Sequence, residues 1–213
     1  MGSTAPAAFE ARKTPVQARS GVTVDAIHEA AIQVLLSHGP DRLTTTRVAT
    51  RAGVSVGTLY QYYPHKQALL YAVMERHLNR VVAAVERACG ESLGKPIPAM
   101  VDAVIQSFVD AKMERADVSR ALYAVAAEMN SISLIRHTGE RARTALAAML
   151  RTAPGARFER LEETVQMLYA AMAGTTRHVM ENGARPEAVG MLRRELRMLA
   201  ESYLLRSADG RGE

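Results

Sequence analysis

The sequence predicts an all-α fold. Apolar residues recur three and four positions apart through most of its 213 residues, with helix caps and Gly/Pro breaks between the runs. No stretch alternates apolar and polar residues with the β-branched enrichment of a strand, and no internal repeat is present.

Residues 1–20 mix Ala, Pro, Gly and Ser with scattered basic residues and show no apolar period, which reads as a flexible tail. From Thr23 the pattern turns helical. Ile27, Ala31, Val34, Leu35 and His38 share one face of a helix that stops at Gly39-Pro40. Thr44 is placed to N-cap a short helix over Thr45–Ala52, its hydroxyl accepting an otherwise unpaired backbone N–H, and Gly53 suits its end. Ser55 caps a second short helix over Val56–Tyr62. Tyr63-Pro64 disfavours continuation, because a residue before proline avoids the αR region. A longer helix follows from about Lys66 to Ala88. Breaks at Gly94-Lys95-Pro96-Ile97-Pro98, near Asp117, near Asn130-Ser131, at Ala153-Pro154-Gly155 and at Asn182-Gly183-Ala184-Arg185-Pro186 leave four or five further helices.

Composition narrows the class. Apolar residues make up 48% and charged residues 23%, a folded composition that excludes a wholly disordered chain. One cysteine, Cys89, forms no internal disulfide, so a reducing cytoplasm is the expected compartment. Apolar runs such as Ala121–Ala127 are too short to span a bilayer, and no membrane association is expected. The formal net charge is +5. Residues 1–66 hold seven Lys/Arg against four acids, a net of +3, so positive charge is concentrated toward the N-terminus. That makes nucleic acid a candidate partner without establishing one.

Residues 42–66 read RLTTTRVATRAGVSVGTLYQYYPHK. Helix, tight Gly-containing turn and second short helix make the layout of a helix-turn-helix. Val48, Ala49 and Ala52 can pack on Val54 and Leu59, the small alanines letting the two axes approach. The second helix then presents Val56, Gly57, Thr58, Tyr60, Gln61 and Tyr62, a surface poor in acids. In a major groove, Gln can bond an adenine edge, and Thr or apolar groups can touch a thymine methyl. Hydroxyls and Lys66 can reach phosphates.

The segment resembles the N-terminal DNA-binding domain of the TetR family of transcriptional regulators. Matching residues are Thr44–Thr46, Val48-Ala49, Ala52-Gly53-Val54-Ser55, Gly57-Thr58-Leu59-Tyr60, Tyr62-Tyr63 and Lys66, with Ala30-Ala31, Leu35 and Gly39 upstream. The likeness covers roughly residues 22–75. Two positions depart from the usual pattern: Tyr63 where Phe is commoner, and His65 where Asn, Asp or Ser is usual. His65 is expected to weaken the cap of the following helix.

The resemblance implies a homodimer that binds a palindromic operator in double-stranded DNA and is released by a small-molecule effector, a repressor more readily than an activator. It implies a flexible tail at 1–20, a helix-turn-helix domain at 21–66, an effector-binding and dimerisation domain at 67–206 and a second tail at 207–213. Carried over by position, Thr46, Val56, Gly57 and Gln61 approach bases. Thr45, Thr58, Tyr60, Tyr62 and Lys66 mostly hold phosphates, with a thymine methyl as a second contact open to Tyr60. Arg47 lies on the right helix, where solvation or an acid partner is the alternative.

Other functions are weaker. Gly53-Val54-Ser55-Val56-Gly57 fits G-x-S-x-G, but a nucleophile elbow needs a strand feeding the turn, and here a helix precedes it. No enzyme activity is expected. The six histidines show no i, i+3 or i, i+4 pairing and no neighbouring ligand set, so neither a metal nor another cofactor is called for. A helical protein-interaction module, or a regulator without an effector, remains open.

Phe108, Met113, Leu122, Tyr123, Met129, Met149 and Met167 stand at helical spacings as candidate lining of an effector pocket, since flexible Met side chains adapt to varied ligands; plain core is the alternative. Glu128 joins them because a carboxylate in an apolar run needs an Arg partner, solvent or a polar ligand. Near the C-terminus Val189, Leu192, Leu196, Leu199 and Tyr203 are spaced 3, 4, 3 and 4, a narrow helical seam. Leu168 and Met172 on the preceding helix, with Leu192, Leu196, Leu199 and Tyr203, are the candidate dimer interface. Part of that seam is expected to pack within the subunit.

Overall fold

Caps and breakers set the helix ends. In the computed structural model, which describes residues 18–129 and 132–208, α1 (Ala18–Arg42) begins earlier than Thr23 and kinks at Gly39, whose φ of 76° suits glycine. Thr44 caps α2 (Thr45–Ala52), accepting from the Arg47 N–H. Gly53 closes the helix in the left-handed region. Ser55 caps α3 (Val56–Tyr62) by accepting from the Thr58 N–H, and extended Tyr63 ends it. Both short helices therefore have the predicted bounds.

His65 corrects an expectation. Its Nδ1 accepts the Ala68 N–H at 3.1 Å, so the imidazole caps α4 (Lys66–Glu91) in place of the usual short polar side chain. Five further helices follow: α5 (Ile97–Met113), α6 (Ala116–Glu128), α7 (Ile132–Leu150), α8 (Leu161–Glu181) and α9 (Pro186–Ala208). No strand occurs among the described residues. The expected break at Asn130-Ser131 lies outside them.

The chain divides into two compact units, one ending at Leu78 with Asp117–Arg136 added, the other Asn79–Ala116 with the chain from His137 onward. The division runs through α4, and α6 clusters with the N-terminal helices. In the first unit, Ile27, Ala31, Val34 and Leu35 of α1 bury against Val48, Ala49 and Leu59, with Leu69, Tyr71 and Met74 of α4 and Val118 and Leu122 of α6 completing the core. A buried hydrogen bond of 2.9 Å joins His77 Nε2 on α4 to Ser119 Oγ on α6.

In the second unit the C-terminal half of α4 shares a core with α5, α7, α8 and α9. Arg141 of α7 forks onto Glu86 of α4 at 3.0 and 2.7 Å and donates to Asn79 Oδ1 at 2.6 Å. A half-buried bidentate pair fixes geometry better than a single surface contact does. Arg193 and Arg197 of α9 reach Asp110 and Asp102 of α5.

Candidate nucleic-acid interface

The head is built from α2 and α3. Val48, Ala49 and Leu59 are fully buried, and Ala52, Val54 and Val56 are half-buried against them, so the two short helices share one small-residue contact. Their outward residues are thereby fixed. Thr45 Oγ1 lies 3.1 Å from Tyr60 Oη, a hydroxyl bridge from the first turn of α2 to α3. Ser55 Oγ, besides capping, bonds Thr58 Oγ1 at 2.8 Å. The G-x-S-x-G string thus sits in a helix-to-helix turn, with its serine hydroxyl engaged.

Neither helix carries an acid. Thr46, Arg47, Gly57, Tyr60 and Gln61 are exposed, while Thr45, Val56, Thr58 and Lys66 are half-buried. A Cβ on Gly57 would meet only Ser55 Oγ, at 3.7 Å, so internal packing does not demand glycine there. Its bare backbone leaves room for another molecule to come close.

One residue sits otherwise than expected, and two make bonds the sequence did not suggest. Tyr62, predicted to hold phosphate, is only 7% exposed, because it lies three residues from Leu59 on the inner face of α3. It belongs to the core and leaves the exposed set. Among the described residues Arg47 pairs with no acid; its Nη1 donates to the Arg42 carbonyl at 2.7 Å. Lys66 Nζ donates to the Pro40 carbonyl at 2.6 Å, tying the start of α4 to the end of α1 just past its kink.

Behind the head, His28 is buried with its Nε2 2.7 Å from Tyr63 Oη. Arg76 Nη1 points at Nδ1 of the same ring, 3.5 Å away. A guanidinium can only donate, so Nδ1 is the acceptor and the ring proton sits on Nε2, donated to Tyr63. This contact gives Tyr63, the departure from Phe, a physical purpose. Burial first, and then Arg76, hold His28 down to about 4, against an opposing influence of Asp25. Burial pushes the Tyr63 phenol upward.

The candidate effector residues fall in both units. Phe108 is buried in the core of the second unit and Met113 packs against it. Tyr123 and Met129 belong to the first unit, both half-buried. Met167, expected to line a pocket, is 59% exposed on the outer face of α8 and lines no interior. The Glu128 side chain lies outside the described residues. The second unit does contain an apolar void of about 10 Å³ among Met100, Ile105, Leu146, Met149, Met172 and Leu204. It also bears an open polar groove of about 750 Å³ between α4 and α5, edged by Arg80, Arg87, Asp102 and Gln106. Of the candidates, Met149 lines the small void.

The expected dimer seam also divides. Leu168, Met172, Leu192 and Leu196 are buried in the subunit's own core. Leu199 is 48% exposed and Tyr203 half-buried. A stripe missed from the sequence runs alongside: Met191, Met198 and Leu205, seven residues apart on α9, are exposed with Met167 on α8. A seven-residue repeat was the available signal, masked by the stronger leucine spacing.

A small-residue helix-turn-helix head and a second helical core define the class: a helix-turn-helix protein. Residues 27–73 match the profile of bacterial regulatory proteins of the tetR family, and residues 96–204, just over half the chain, match the tetracyclin repressor-like C-terminal domain. The chain belongs to the TetR family of transcriptional regulators.

Among curated relatives, it is similar to the HTH-type transcriptional repressor KstR of Mycolicibacterium smegmatis, 37% identical over 62 residues that cover 29% of this chain and 30% of that protein. It is also similar to the transcriptional activator FasR of the same organism, 37% identical over 59 residues covering 28% and 27%. The matched stretch thus spans less than a third of these relatives. A TetR-family regulator structure from Mesorhizobium loti superposes with a TM-score of 0.73 at 19% identity, covering 89% of this chain and 98% of that one. The fatty acid degradation regulator FadR from Bacillus halodurans gives 0.66 at 18%, covering 88% and 96%. At such identities the likeness carries the fold.

Proposed function

We propose that the protein is a homodimeric, cytoplasmic repressor whose paired heads bind a palindromic DNA operator and are released by a small-molecule effector. The observation that carries the reading is the acid-free face of α2 and α3, on which Tyr60 is braced by Thr45 beside exposed Gln61 and Gly57. Gln61 reads a base edge; Thr46, Val56 and Gly57 lie against neighbouring bases; Thr45, Thr58, Tyr60 and Lys66 hold backbone phosphates. Tyr62 supports that surface from beneath.

Met191, Met198 and Leu205 supply the face that meets a second copy, together with Met167 and Leu199. The exposure of these apolar side chains on α8 and α9 supports this assignment, since water disfavours such surface. The helical body from residue 67 onward holds the effector. An effector that binds more tightly to a conformation with wrongly spaced heads releases DNA through that difference in affinity. No described helix is long and apolar enough to cross a membrane.

The test is a mobility shift with a duplex from the region upstream of the gene, at several salt concentrations. The reading expects a salt-dependent complex with two heads per duplex. A folded dimer that binds no duplex at low salt contradicts it and favours a protein-interaction module.

A further inference from the structure

On the side of α2 away from α3, a cleft of about 310 Å³ opens against the C-terminal part of α1. Its polar walls are Ser37, His38, Thr46, Arg47, Thr50 and Arg51, its floor includes Val34, and no carboxylate lines it. Arg47 and Arg51 stand one turn apart, as do Thr46 and Thr50, so two guanidinium groups and two hydroxyls are arranged in register along α2. Each arginine is oriented by a neutral acceptor. Arg47 donates to the Arg42 carbonyl at 2.7 Å, and Arg51 Nε donates to Gln33 Oε1 at 2.6 Å. Neither makes an ion pair among the described residues. Glu29, one turn before Gln33, accepts from Gln33 Nε2 at 3.4 Å. Ser37 Oγ donates to the Gln33 carbonyl at 2.6 Å and therefore accepts from His38 Nδ1 at 2.8 Å, which holds the ring at the cleft's edge.

We propose that this cleft seats a backbone phosphate of the bound DNA, with Arg51 and Thr50 as donors beside Arg47. The inference rests on the reading of the head as a duplex-binding surface and extends it around α2. A phosphodiester offers oxygens that accept from a guanidinium fork and from hydroxyls together, whereas an acid-free cleft has nothing for a cation. The position favours backbone over base: the cleft adjoins Thr46, next to the Thr45 that bonds Tyr60, but lies on the α1 side, away from the reading helix. Ser37 has no proton left to donate and is a positioning residue for His38.

The experiment follows the binding of fluorescent upstream-region and random-sequence duplexes to the full chain over a range of salt. Arg51→Gln is expected to weaken both duplexes by the same factor. It should reduce the slope of log affinity against log salt by about 0.9 per head, nearly two for a paired complex. Arg51→Lys is expected to keep the slope. Thr50→Val, a neutral donor lost, should weaken both duplexes about threefold with the slope unchanged. A wild-type slope for folded, dimeric Arg51→Gln overturns the inference while leaving the functional reading intact. If Arg51→Gln does not fold, undiminished affinity of Thr50→Val overturns it instead. Binding of inorganic phosphate that Arg51→Gln abolishes, with DNA slopes unaltered, would assign the cleft to a free phosphoryl ligand and likewise overturn it. Absence of wild-type binding to any duplex removes the functional reading and the inference with it.

Discussion

Lys66 Nζ donates to the Pro40 carbonyl at 2.6 Å, so a residue matched to phosphate binding also fastens the first turn of α4 to the end of α1. The ammonium keeps two further donors for a partner. Lys66→Ala should therefore do two things. It should weaken all duplexes alike, and it should lower unfolding free energy by about 1–2 kcal/mol as a charge-assisted bond to a half-buried carbonyl is lost. Urea unfolding beside a binding titration separates the effects; unaltered stability would show that the contact does not anchor α4.

Gln61 is exposed on α3 and has no part in the core. Gln61→Ala should leave thermal unfolding unchanged while narrowing the preference for the cognate duplex over a random one by about 1–3 kcal/mol, the value of one bidentate base contact. Equal losses on both duplexes would move Gln61 to the phosphate contacts.

Acid should loosen the head through His28. Its imidazole is held down to about 4 from 6.5 by burial and Arg76. Between those values the unfolded chain takes up a proton that the folded chain refuses. The stability is thus complete above the ordinary value and is lost as pH falls toward the folded one, by on the order of 3 kcal/mol. His28→Gln, which keeps a donor for Tyr63, should flatten urea stability measured across that window. Equal pH dependence in both proteins would contradict the assignment.

Met198→Glu and Leu196→Ala should fail in different ways. Met198 is 61% exposed and Leu196 2% exposed, although they lie two residues apart on α9. A charge at Met198 should shift the protein to monomer in sedimentation with its helical content kept. Truncating Leu196 should cost about 2–5 kcal/mol of folding stability through the cavity it leaves. A dimeric Met198→Glu protein would place the subunit contact elsewhere.

These contrasts show what the sequence could reveal. Bounds of α2 and α3 were legible because Thr44, Gly53 and Ser55 act within one turn of themselves, through hydrogen bonds that local chemistry decides. The side that Leu192 and Leu196 face was not, because a period of three and four marks an apolar seam without saying which neighbour covers it. Tyr62 was misplaced for a related reason. Its phenol suits a phosphate contact, but helical phase puts it beneath the head with Leu59. His65 shows the opposite error, a cap judged by residue type when the imidazole also reaches the Ala68 N–H. The cleft around Arg51 needed α1 folded against α2, a contact between segments that sequence spacing does not relate.

The most direct test of the account is the salt dependence of duplex binding by the intact protein, measured with upstream-region and random-sequence DNA. The account predicts a steep loss of affinity with salt on both, and a tighter complex on the upstream duplex that Gln61→Ala selectively weakens. A folded dimer whose affinity for the two duplexes is equal and indifferent to salt would contradict it.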